Sequence, residues 1–141
     1  MIVNFALHSN SKFYTFVTYA FLHSDLEHII MNMSMLLILS QFLKYYNQII
    51  IFLVYISGAI ISALLYYYLM NYFNQFFILV GASGAIYTLF GFASYIFKQT
   101  GFLIATIITS VISVIFFENI AWQAHIFGFI YGYICAYLLK N

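Results

Sequence analysis

The chain has 141 residues, of which 66% are hydrophobic and only 5% charged, against an apolar share of about half in soluble domains. Four lysines, three acidic residues and no arginine cannot solvate a globular surface of this size, and they cannot track a phosphate backbone, which excludes nucleic acid as a partner. What remains is an integral membrane protein with the lipid bilayer as its solvent, and an aromatic share of 23% suits lipid-facing and interfacial positions.

Proline is absent, so charges, Asn, Gln and Gly punctuate the chain. Residues 1–24 mix apolar residues with His8, Asn10, Lys12 and His23, which is too polar to span. They read as an outer interfacial loop, partly helical over 13–22, and not as a cleavable export signal, because a basic head and an apolar core are both missing. A membrane helix needs about 20 mostly apolar residues, and five such stretches follow at about 26–43, 49–72, 76–97, 102–117 and 121–139. All are expected to be α-helices, since backbone groups in lipid must be satisfied within their own segment. The fold class is therefore all-α, a polytopic membrane helix bundle forming one domain over 1–141.

Lys44, Lys98 and Lys140 follow the first, third and fifth spans, whereas Asp25, Glu27 and Glu118 fall on the other side. The positive-inside tendency then makes the C-terminus cytoplasmic and places residues 1–24 outside, with Lys12 the exception. Five spans starting from an outer N-terminus, without an export signal, lead one to expect a further helix before Met1.

Ser83 precedes Lys98 by 15 residues, His125 precedes Lys140 by 15, and His28 precedes Lys44 by 16. At 1.5 Å per residue all three polar groups lie roughly 22 to 24 Å from the lysine level. Polar side chains in hydrocarbon turn towards the bundle interior or a water-filled cavity, so their shared depth reads as a site open to the outer side. Ser83, Tyr87 and Gly91 recur on one helix face, and His125, Gly128, Gly132 and Ala136 on another. Gly128-x-x-x-Gly132 is a pattern that lets membrane helices approach closely.

Within Gly81-Ala82-Ser83-Gly84 the serine is a weak nucleophile until a base takes its proton, and His125 is the candidate base. No carboxylate is placed to orient that histidine, because Asp25 and Glu27 lie at the outer mouth and Glu118 precedes its helix by about two turns. A Ser-His dyad is expected, with Tyr87, one turn below Ser83, packing on the imidazole. His28 and Asn32 share a helix face and can donate to a developing oxyanion, although a structural role as caps or bridges is open to both. A metal site is disfavoured, since His23 and His28 are five residues apart with no acidic ligand on their face. No cofactor is expected. Cys135 reads as a packing residue.

With Gly81-Ala82-Ser83-Gly84, His28-x-x-x-Asn32 and Ala124-His125-x-x-Gly128-x-x-x-Gly132 on separate spans, residues 13–139 resemble the rhomboid family of intramembrane serine proteases. The resemblance implies Ser83 as nucleophile, His125 as general base, and His28, Asn32 and the Ser83 backbone N–H as the oxyanion site. It implies Tyr87 stacked on His125, Gly128 and Gly132 packing the last helix on the Ser83 helix, and His23 on the polar loop side. Transmembrane proteins, cut in the outer part of their membrane helix, are the implied substrates. The family has a six-helix core, and residues 14–18 match the end of the loop between its first and second helices, so the resemblance leaves the family's first helix unmatched here, as expected either of a reading frame that starts too late or of a five-helix variant. Thr15 stands where many members carry Arg. Two other readings are a catalytically silent relative that binds transmembrane clients and a membrane scaffold without a site.

Overall fold

The computed structural model describes residues 4–74, 78–116 and 121–140. Glu118 lies outside them. A short helix α1 (Thr15–Thr18) runs into a 3-10 turn (Tyr19–Phe21), and five longer helices follow: α2 (Leu26–Leu43), α3 (Gln48–Tyr72), α4 (Ser83–Phe97), α5 (Gly101–Phe116) and α6 (Trp122–Lys140). By length and hydropathy α2 and α3 are each able to cross a membrane, while α4 and α5 are shorter apolar helices.

Local chemistry sets the helix starts. Asp25 caps α2 by accepting from the His28 N–H at 2.7 Å, and Asn47 caps α3 by accepting from Ile49 and Ile50. Each cap satisfies donors that the first helical turn leaves orphaned.

The expected helix over 76–97 is corrected at its start, because α4 begins only at Ser83. Leu79 instead exchanges backbone hydrogen bonds with Leu7, at 3.1 and 2.8 Å, as an isolated antiparallel bridge. Gly81 then turns at φ +119°, a conformation that only glycine adopts at low cost. An apolar run such as 78–80 is consistent with helix or strand, and here the bridge and the turn decide.

The segment before α2 is packed more firmly than a surface loop. Ala6, Leu7, Thr15, Tyr19 and Ala20 are buried, the Tyr19 hydroxyl donates to the Ala59 carbonyl of α3 at 2.8 Å, and the Gly81 N–H donates to the Tyr19 carbonyl at 3.0 Å. Burial pushes the Tyr19 hydroxyl well above the ordinary tyrosine range, so it stays a neutral donor. Thr15 donates to the Lys12 carbonyl at 2.6 Å, within its own turn.

At the centre stands α4, buried continuously from Gly84 to Ser94. It packs most closely on α6 and also on α3, α5 and α2. The α4–α6 contact is backbone against backbone: a Cβ added at Gly128 would overlap the Gly84 carbonyl oxygen, one at Gly132 the Thr88 carbonyl, and one at Gly91 the Phe129 carbonyl. Outward faces carry apolar side chains, Leu37 and Ile38 on α2, Phe52 and Leu53 on α3, Ile107 and Ile108 on α5.

Candidate active site

Ser83 is the first residue of α4, delivered there by the Gly81 turn. Gly81 is required for space as well as for its φ, since a Cβ there would lie 2.7 Å from His28 Cε1 and Nε2 and 3.6 Å from Asn32 Nδ2. The glycine loop therefore lies directly over the two α2 side chains. One turn on, Gly84 leaves room for Ser62 of α3, whose Cβ would be 2.9 Å from an added Cβ.

His125 sits in the first turn of α6, 4% exposed. Its ring stacks on Tyr87 with centroids 4.2 Å apart and planes at 28°. Tyr87 is held in turn by stacking on Phe90 and by donating from its hydroxyl to Thr109 Oγ1 of α5 at 2.6 Å. His125 Nδ1 is buried with no hydrogen-bond partner among the described residues, so the imidazole is positioned by aromatic packing.

A cavity of about 650 Å³ is lined by Ser83, His125, His28, Asn32 and Tyr87 together. Its floor and walls come from α2 (Met31, Met35), α5 (Thr109, Ile112, Ser113) and the 78–80 segment, and Ser24, Asp25 and Glu27 stand at one end. All five side chains expected at the site thus meet around one space, although Ser83 makes no side-chain hydrogen bond to His125 among the described residues. Asn32 is 3% exposed and its Nδ2 is buried without a hydrogen-bond partner among the described residues. A buried donor left unpaired costs about 1–3 kcal/mol. Gly128 and Gly132 lie on the α4–α6 contact and not on the cavity.

Polar groups at the mouth act on His28. Ser24 donates its one hydroxyl hydrogen to Asp25 Oδ2 at 2.6 Å, which leaves the same oxygen to accept from His28 Nδ1 at 3.1 Å. His28 Nε2 then faces the glycine loop, and it carries a hydrogen only when the ring is doubly protonated. The Asp25 carboxyl is held below its ordinary pKa, chiefly by the Ser24 hydroxyl and then by the His28 N–H. His23 lies edge-on to His28 at 5.1 Å. Burial lowers its pKa, against the opposing pull of Asp25.

Three contributors escaped the sequence reading. Thr109 and Ser113 have a legible signal, since Thr106, Thr109, Ser110 and Ser113 form a hydroxyl-bearing stripe on an otherwise apolar helix. Ser24 has none beyond its place before a capping Asp. Among the described residues no group of three metal-ligating side chains gathers.

This is a helical membrane fold with a serine, a histidine and an amide donor around one cavity. The family profile described as Rhomboid domain matches residues 10–141, and the chain belongs to the rhomboid family. Comparison with the curated proteins returns no match.

Proposed function

We propose that the chain is an intramembrane serine endopeptidase. The observation that carries the reading is Asn32: a buried, unpartnered amide donor lines the same cavity as Ser83 and His125. A group that pays the penalty of burial without a partner is explained if its partner forms only during reaction, as an oxyanion does.

In the proposed reaction Ser83 Oγ attacks the carbonyl carbon of a scissile peptide while its proton passes to His125 Nε2. The resulting oxyanion accepts from Asn32 Nδ2 and from the Ser83 backbone N–H, and from His28 when that ring is doubly protonated. Collapse breaks the C–N bond, and the proton on His125 leaves with the amine. Water then attacks the acyl-serine, giving a proton to His125, and as the acyl C–O bond breaks His125 returns that proton to Ser83 Oγ, releasing the acid and free Ser83. The serine and histidine approach one another as substrate fills the cavity, since catalytic hydrogen bonds are often long before substrate binds.

Substrates are transmembrane proteins entering between α2 and α5, where Met31, Met35 and Ile112 offer an apolar wall. The three helix ends carrying Lys44, Lys98 and Lys140 support a cytoplasmic C-terminus with the cavity towards the outer side. The lack of a Ser83–His125 hydrogen bond favours a second reading, a catalytically silent binder of transmembrane clients. Fluorophosphonate labelling in detergent, read by intact mass, separates the two. A single adduct absent from Ser83→Ala and His125→Ala supports the protease, whereas no adduct on folded protein supports the binder.

A further inference from the structure

We propose that the end of the bundle opposite Ser83 holds a binding site for a phosphate-ester anion, of the kind carried by an acidic phospholipid headgroup. A second cavity of about 350 Å³ lies there, between the α4–α5 connection and the last turns of α6. It is roughly 22 Å from Ser83 along α4, and the inference does not depend on proteolysis.

Two cations border this cavity, Lys98 and Lys140. The acidic residues described, Asp25 and Glu27, are at the far end of the bundle. Like charges sharing a cavity repel, and a bound anion relieves that repulsion. Lys98 closes α4 in the left-handed conformation, φ 54°, a position where glycine is the usual residue. Non-glycine residues adopt it at a cost and concentrate it at functional sites. The turn is locked by Ser94, whose hydroxyl donates to the Gln99 carbonyl at 3.0 Å while its own carbonyl accepts the Gln99 N–H at 3.2 Å.

The wall suits a lipid in particular. Tyr95 and Tyr133 line the cavity, their rings edge to face at 5.1 Å, and the Lys140 ammonium lies 5.8 Å over the Tyr95 ring. Tyrosines with lysines at the end of membrane helices mark the headgroup level, where an aromatic body packs on the glycerol region and the charge reaches the phosphate. Gln99 and Thr100 add polar groups at the rim.

The test is native mass spectrometry of the full chain released from detergent, with phosphatidylglycerol, phosphatidylcholine and inorganic phosphate as separate probes. One retained phosphatidylglycerol is expected, favoured over phosphatidylcholine by about 30-fold, with each lysine contributing about fivefold. Lys98→Gln with Lys140→Gln should abolish that preference, and Lys98→Arg with Lys140→Arg should keep it. Helical circular dichroism checks that each variant is folded. Inorganic phosphate that binds and displaces the lipid would support the anion site and assign a soluble phosphate as its source, whereas phosphate without effect assigns the lipid. Equal retention of both lipids by the wild type, or an undiminished preference in the folded double Gln variant, overturns the proposal.

Discussion

Adding one methyl group at Gly128 tests the link between helix packing and the site. The new Cβ overlaps the Gly84 carbonyl oxygen and lies 3.2 Å from both the Thr88 backbone nitrogen and Ser62 Oγ. Two of these three atoms are α4 backbone, which cannot rotate away, so α4 and α6 must part by roughly 1 Å to regain ordinary contact. Overpacking of this kind costs about 1–3 kcal/mol. The helix preference of Ala over Gly returns about 1 kcal/mol, leaving a net loss of roughly 0–2 kcal/mol. Gly84 adjoins Ser83, and Gly128 lies one turn after His125, so the same displacement separates serine from histidine. A 1 Å misplacement at reacting groups reduces rate by about 100-fold. Gly128→Ala is therefore expected to shift the thermal midpoint in detergent slightly while slowing fluorophosphonate labelling about 100-fold. Gly101→Ala is the control, because nothing lies within 4 Å of its added Cβ and neither quantity should fall. Wild-type midpoint and wild-type labelling rate together in Gly128→Ala would refute the close backbone approach.

Asn32→Ala removes a donor that has no partner at rest, so labelling should slow by about 100- to 1000-fold with the thermal midpoint little changed; a large drop in midpoint would mean that the amide is structural. Tyr87→Phe keeps the stack on His125 but deletes the hydrogen bond to Thr109, and stability measured by denaturant titration should fall by about 1 kcal/mol, whereas an unchanged value would show that bond to contribute nothing. Asp25 has a lowered folded pKa, so its contribution is present above its unfolded pKa of about 3.9 and is lost as pH falls through the folded value. Thermal midpoints taken from pH 7 to pH 3 should accordingly fall more steeply for the wild type than for Asp25→Asn, which keeps the helix cap, and parallel curves would contradict the assignment.

Much of the candidate site was legible because its polar groups are expensive in a membrane. Ser83, His125, His28 and Asn32 stand out in a chain that is 5% charged, and counting residues back from three lysines places the first three at one depth, with Asn32 one turn further along the His28 face. The glycine stripe on α6 was legible for a similar reason, since a small residue every fourth position has few uses other than close approach. The start of α4 was not legible. Residues 78–80 are as apolar as a helix, and only the pairing of Leu79 with Leu7, 72 positions away in sequence, makes them extended. Nor did hydropathy forecast that the segment before α2 would be buried, because its anchors are single hydroxyls, Tyr19 to Ala59 and Tyr67 to Ser9, whose partners are backbone carbonyls. Nor does any sequence pattern encode the contacts of Ser24 with both Asp25 and His28, through which the tautomer of His28 is set.

The enclosure of α4 has a consequence for how the protein meets bilayers of different thickness. With 15 residues the helix is roughly 22 Å long, shorter than a hydrocarbon core of about 30 Å, and its residues from Gly84 to Ser94 are buried within the bundle. A thicker or thinner membrane therefore acts on α2, α3 and α5, whose outward faces are apolar, and these helices can tilt to accommodate the mismatch. The serine-bearing helix keeps its register with α6 because that contact is backbone against backbone. The relation between Ser83 and His125 is in this way referenced to the protein's own interior, while the tilt of the outer helices answers to the bilayer around them.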